Sequence, residues 1–160
     1  MSNCQENIIK DVVGIDILTA SACNFPVPFN VRNIKSIPLS AIPKPKYHFG
    51  FNADAVADYA DEVDGDITVK STNKTSTLGN IFTYDISAVV DAVSDLPYSV
   101  EKELYHFDFH LIIHFADGTA KLCYGLPSTS MFSANENYGS NSSISIKITI
   151  LSLNKLISLL

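Results

Sequence analysis

A chain of 160 residues with 46% hydrophobic and 18% charged side chains is globular, and it can bury about two thirds of its unfolded surface in one domain. Its net charge of −6 argues against nucleic acid as a partner, because phosphate binding needs clustered Lys and Arg. No apolar run approaches a membrane span, and the start, Met1 to Glu6, lacks the basic and apolar regions of a signal peptide, so residence in the cytoplasm on synthesis is expected and no membrane partner.

The three cysteines, Cys4, Cys23 and Cys123, are odd in number and far apart, which reads as reduced structural thiols. Ile8 to Leu18 predicts a first strand with Val13, Ile15 and Ile17 on one face. From 25 to 46 the chain holds five of its seven prolines together with Arg32, Lys35, Lys44 and Lys46 and no acid. Proline removes ladder donors, so this basic stretch predicts an extended arm or sheet edge, with a short strand at Asn30 to Ile37. Tyr47 to Phe51 is a short aromatic strand. Asn52 to Gly65 is the acidic counterpart, with Asp54, Asp58, Asp61, Glu62 and Asp64, and Asp54 to Asp61 forms a short helix or an acidic loop.

Strands follow at Asp66 to Lys70 and at Thr77 to Ser87, with Ser71 to Ser76 as a polar loop between them. Ala88 to Leu96 suits a helix or a strand. Pro97 ends it, and Ser99 to Leu104 predicts one helical turn. Tyr105 to Phe115 then alternates strictly: Tyr105, Phe107, Phe109, Leu111, Ile113 and Phe115 against His106, Asp108, His110, Ile112 and His114. That period of two marks a strand with one buried face. Asp117-Gly118 predicts a two-residue turn with two positive-φ positions. In that register His114 faces Lys121, Cys123 faces Ile112, and Leu122 and Tyr124 join the apolar face. Residues 128 to 143, rich in Ser and Asn and holding Tyr138, read as a long binding loop. Ile144, Ile146, Ile148 and Ile150 alternate in a last long strand, with a bulge or end at Ile150-Leu151. Leu153, Leu156, Ile157 and Leu160 recur at helical spacing and leave an apolar end.

The candidate chemistry is thin. Neighbouring members of His106, His110 and His114 on one strand stand about 13 Å apart, too far to share a metal ion. They read as a polar face turned to solvent or to a neighbouring subunit. Asp61-Glu-Val-Asp-Gly-Asp66 fails as a calcium loop, because Ala60 and Ser71 fall where ligating carboxylates are required. There is no nucleophile elbow and no phosphate loop. No enzyme activity, cofactor or metal is therefore expected.

The fold class is mainly β: an antiparallel sandwich or barrel-like single domain over 1–160, with one or two short helices and extended arms. Its layout combines the proline-rich arm, the Thr77 to Ser87 strand, the Ala116-Asp-Gly-Thr119 hairpin, the Ser/Asn loop and the isoleucine-alternating last strand. This resembles small β-rich virion proteins of tailed bacteriophages and prophages, of the tail-tube, tail-terminator or connector type. The resemblance implies a sandwich or barrel core whose arms and loops bridge subunits in a ring, with the virion as destination. It carries over no functional residue.

The expected function is thus a structural, self-associating subunit, partnered by itself as a homo-oligomer or ring and by other structural proteins. The basic residues Arg32, Lys35, Lys44 and Lys46 would meet the acidic Asp58, Asp61, Glu62 and Asp64, either within one subunit or across two. His106, His110, His114, Tyr138, Leu156 and Leu160 complete the interaction set. The alternative is a monomeric ligand- or glycan-binding domain that uses the 128–143 loop.

Overall fold

Period-two alternation governs the observed architecture. The computed structural model describes residues 11–23, 25, 31–51, 57–77, 79–91, 98–139 and 142–160. Seven strands form one sheet: β1 (Val12–Thr19), β2 (Ser36–Ile37), β3 (Tyr47–Gly50), β4 (Tyr59–Glu62), β7 (Phe109–Phe115), β8 (Ala120–Cys123) and β11 (Ile157–Leu159), in the order β2-β11-β8-β7-β1-β3-β4. The other four, β5 (Thr68–Ser76), β6 (Gly79–Asp91), β9 (Met131–Asn137) and β10 (Ser143–Ser152), form an antiparallel sheet in the order β5-β6-β10-β9. The first sheet is antiparallel at its centre, while its outer pairs β2–β11 and β3–β4 are parallel. One helix, α1 (Tyr98–His106), is present among the described residues, and none there is long and apolar enough to cross a membrane.

The sheets face each other across the main core. Ile15, Ile17, Tyr47, Phe49, Phe109, Leu111, Ile113 and Cys123 of the seven-stranded sheet meet Phe82, Tyr84, Ile86, Val90, Phe132 and the four isoleucines of β10. Val100 and Leu104, one helical turn apart and therefore on one face of α1, close one side of that core. A bridge between Val63 and Val90 ties the sheets together. The protein is thus a mainly β, two-sheet sandwich.

The outer face of the seven-stranded sheet is also covered. Leu18, Ile112, Leu122, Tyr124 and Ile157 form a second cluster beneath Cys23, Phe25, Ile34, Ile37, Ala41 and Ile42. Residues 31–46 cross that face with only β2 and a 3-10 turn at Leu39–Ala41 as regular structure. Buried Asn154 anchors the crossing: its Oδ1 accepts from Ile34 N at 2.9 Å and its Nδ2 donates to Val31 O at 2.8 Å.

Several expectations need correction. The β7–β8 hairpin turns through three residues, Ala116 to Gly118, and only Gly118 has positive φ (88°). Asp117 Oδ1 accepts from Thr119 N at 2.9 Å and from its hydroxyl at 2.6 Å, which favours this longer turn. One extra residue slips the register by one and flips every side chain of β8. Leu111 therefore faces Cys123 in the main core, Leu122 faces Ile112 in the outer cluster, and His114 faces Ala120 rather than Lys121.

The segment 128–143 holds β9, paired to β10 from Met131 to Asn137, so its middle is strand rather than loop. Ser71 to Ser76 belong to β5, and β10 pairs with β6 through Ser152 without a bulge. The C-terminal segment is a strand, not a helix: β8 offers an open edge, and β11 fills it with Ile157 fully buried. Tertiary pairing overrides a short helical spacing there. Residues 59–62 are β4 rather than helix, whereas Asp54 lies outside the described residues. Residues 88–91 continue β6, and 92–97 lie outside the described residues, as do Cys4 and Asn30.

The observed register has a direct test. Cys123 sits in the main core with its side chain sealed off, so Cys123→Ser should bury an unpaired hydroxyl and cost about 2 kcal/mol in urea unfolding. A loss below a few tenths would place the side chain elsewhere.

Candidate functional site

The polar residues of the outer face converge on Asp16. It stands on β1 between Ile15 and Ile17, which point into the main core, so its carboxylate is turned to the opposite face. β3 places His48 directly across from it, and β7 places His114 across from Gly14, one diagonal step away. His48 Nδ1 lies 2.5 Å from Asp16 Oδ1, and His114 Nε2 lies 2.6 Å from Asp16 Oδ2. Both carboxylate oxygens are therefore engaged, each by an imidazole from a different neighbouring strand.

Glycine makes this packing fit. The His48 ring lies over Gly14 and Gly50: a Cβ on Gly50 would sit 2.8 Å from His48 Nε2 and from Val13 O, and one on Gly14 would sit 2.9 Å from His48 Cε1. Among the described residues, His48 Nε2 is the one buried side-chain nitrogen or oxygen without a hydrogen-bond partner. Burial alone would raise the Asp16 carboxyl. The hydrogen bonds from His114 and His48, with their charge, outweigh it and hold the group below the usual carboxylate range.

When both rings are neutral, each donates its one N–H to Asp16. His48 is then the Nδ1–H tautomer and His114 the Nε2–H tautomer, and the second nitrogen of each ring is an acceptor. His114 remains half-exposed, with 38% of its side chain accessible. Asp16, His48 and His114 line a cavity of about 630 Å³ whose other walls include Ile42, Pro43, Ile112, Phe115 and Leu159. Among the described residues, no group of three or more His, Cys, Asp and Glu side chains is arranged to hold a metal ion.

The histidines expected on one strand part company. His106 is the exposed last residue of α1, since the strand starts only at Phe109. His110 is buried rather than facing solvent, and its Nδ1 accepts from Gly125 N at 3.0 Å while Phe25 and Tyr124 pack edge-on against it. Burial lowers it to about 4, against a weaker opposing pull from Asp108. The proline-rich arm covers this face, which the alternation of β7 alone does not reveal.

The charged candidates are scattered. Lys44 pairs with Asp58 at 2.8 Å, and Lys46 pairs with Glu103 of α1 at 2.6 Å, so two arm lysines are satisfied within the chain. Arg32 donates to Asn80 O and lies against Gly79. Asp61 is buried beside the Tyr59 hydroxyl, whereas Lys35, Glu62 and Asp64 are exposed. Tyr138 is exposed and donates to the Glu136 carboxylate; Leu156 is half-buried against the main core, and Leu160 is exposed. The residues missed are Asp16 and His48. Their signal is a polar residue at an out-facing position of two strands otherwise apolar, but nothing local says that those strands are neighbours.

Against known proteins, the chain matches no family model, no curated relative and no solved structure.

Two outcomes check the site. Gly50→Ala forces the His48 ring off its seat and should cost about 2 kcal/mol. An unchanged urea midpoint would show that the ring is not held there. His110 titrates at 6.5 unfolded and about 4 folded, so the unfolded chain takes up the extra proton between those values. Stability should fall by about 3 kcal/mol as pH drops from 6.5 to 4. His110→Asn, whose Oδ1 can still accept from Gly125, should flatten that slope; an equal slope in both proteins would assign it to other groups.

Proposed function

We propose that the chain is a non-enzymatic structural protein that associates with copies of itself, as a subunit of a phage-type particle. The observation that carries this reading is the unequal treatment of the four sheet edges. β2 is two residues long, and β4 is four residues long with Glu62 exposed, so both are blunted. β5 carries exposed Lys70 and Lys74 along nine residues. β9 has seven residues, pairs only with β10 and holds no proline and no basic residue, and α1 packs beside it through Tyr105 against Phe132.

Lysines along β5 repel a second β5, whereas the outward positions Ser133, Asn135 and Asn137 of β9 are uncharged. The two strands also run in opposite directions across their sheet. A head-to-tail neighbour therefore adds its β5 antiparallel to β9. Such a contact is heterologous, the kind that closes rings or stacks tubes. The resemblance of its layout to tail and connector proteins suggests the setting.

Sedimentation velocity over a concentration series at low salt tests this. The unmodified protein should sediment above the monomer mass. Ser133→Lys with Asn135→Lys sets lysine against lysine across the joint and should return it to monomer with an unchanged circular dichroism spectrum. A strictly monomeric unmodified protein, or association untouched by the double substitution, contradicts the proposal.

A further inference from the structure

The cavity beside Asp16 lies on the sheet opposite the proposed joint, and it has the makings of a separate ligand site. Its volume of about 630 Å³ falls within the range of small-molecule pockets. Its walls are apolar: Leu39, Ile42, Ile112, Phe115 and Leu159 surround it, with Pro43 and Pro45 from the arm. Two formal charges border it, and each already has its partner. Asp16 is bound by two imidazoles, and Lys44 is paired with Asp58. A charged ligand would have to displace one of these pairs, so a neutral one is favoured.

Two uncharged polar side chains remain at its wall, Thr119, whose hydroxyl is already donated to Asp117, and His114. Because Asp16 holds His114 through Nε2, the half-exposed ring, when neutral, keeps Nδ1 as an acceptor. His48 cannot take that role, since its Nε2 is walled in above Gly50. Its part is to occupy Asp16 Oδ1 and leave Oδ2 for His114, which makes it a positioning residue.

We propose that this cavity binds a neutral, mainly apolar molecule carrying a hydroxyl group, a 4-alkylphenol or a long-chain alcohol, with the hydroxyl donated to His114 Nδ1. The apolar body lies under the arm, between Ile42 and Ile112. The hydroxyl is what the site reads, because a ligand without a donor leaves the His114 lone pair unsatisfied in a partly dry cavity.

The test compares matched pairs on the unmodified protein by two-dimensional amide NMR: a 4-alkylphenol with its O-methyl ether, and a linear alcohol with its methyl ether. Saturable shifts are expected at Gly14, Thr119, Ala120 and Leu159, with the phenol, the alcohol or both at least about tenfold tighter than the matching ether. Which arm responds identifies the source. His114→Phe should bring each hydroxyl compound to the affinity of its ether. Equal binding of hydroxyl compound and ether to the unmodified protein overturns the proposal without any variant, as does the absence of saturable binding in both arms. Neither result bears on association through β5 and β9.

Discussion

A desolvated carboxylate on the central part of a sheet is tolerated only when something neutralises or binds it, and Asp16 is held on both sides. His48 and His114 come from the two strands that flank β1, so the bridge spans β3, β1 and β7. Removing one partner would leave a buried acceptor or donor with nothing to meet, a loss of roughly 1–3 kcal/mol for each unpaired group. The neighbouring glycines follow from the same constraint. With side chains at 14 or 50 the His48 ring could not lie flat on the sheet, and the carboxylate would keep only one imidazole.

The sheet that holds the bridge has two covered faces, while its partner has one. Inward residues of β1, β3 and β7 join the main core, and outward ones meet the proline-rich arm. An arm with few donors suits that task, because it can cross strands without competing for their ladder bonds. The four-stranded sheet shows the opposite economy. Its outer face carries Asp85, Ser87, Lys147 and Thr149, with Thr149 donating to Asp85, so that face stays wet. The cavity thus lies on the outer face of the seven-stranded sheet, away from the wet face of the other.

Much of the architecture was legible because strand alternation is a local property. The inward faces of β1, β7 and β10 follow directly from Ile15 and Ile17, from Phe109 to Phe115, and from the isoleucines at 144 to 150. Turn length was harder to read. Asp117-Gly118 fits a two-residue and a three-residue loop equally well, and the Asp117 to Thr119 hydrogen bonds decide it. The difference of one residue moved Cys123, Leu122 and Tyr124 to opposite faces. The site was largely illegible, since Asp16, His48 and His114 are separated by 32 and 98 positions from Asp16. Their meeting depends on sheet order, which alternation does not encode. His110 was misplaced for a related reason: its strand has a polar-looking face, and the cover arrives from Phe25, Ile34 and Ile42.

Imidazole nitrogen NMR measures the bridge most directly. A ¹⁵N-labelled sample recorded where the histidines are neutral reports which ring nitrogen carries the proton. The bridge requires His48 as the Nδ1–H tautomer and His114 as the Nε2–H tautomer, with both bonded protons shifted downfield and both signals reverting in Asp16→Ala. The opposite tautomer at either ring, or spectra indifferent to Asp16→Ala, would contradict a carboxylate held between two histidines.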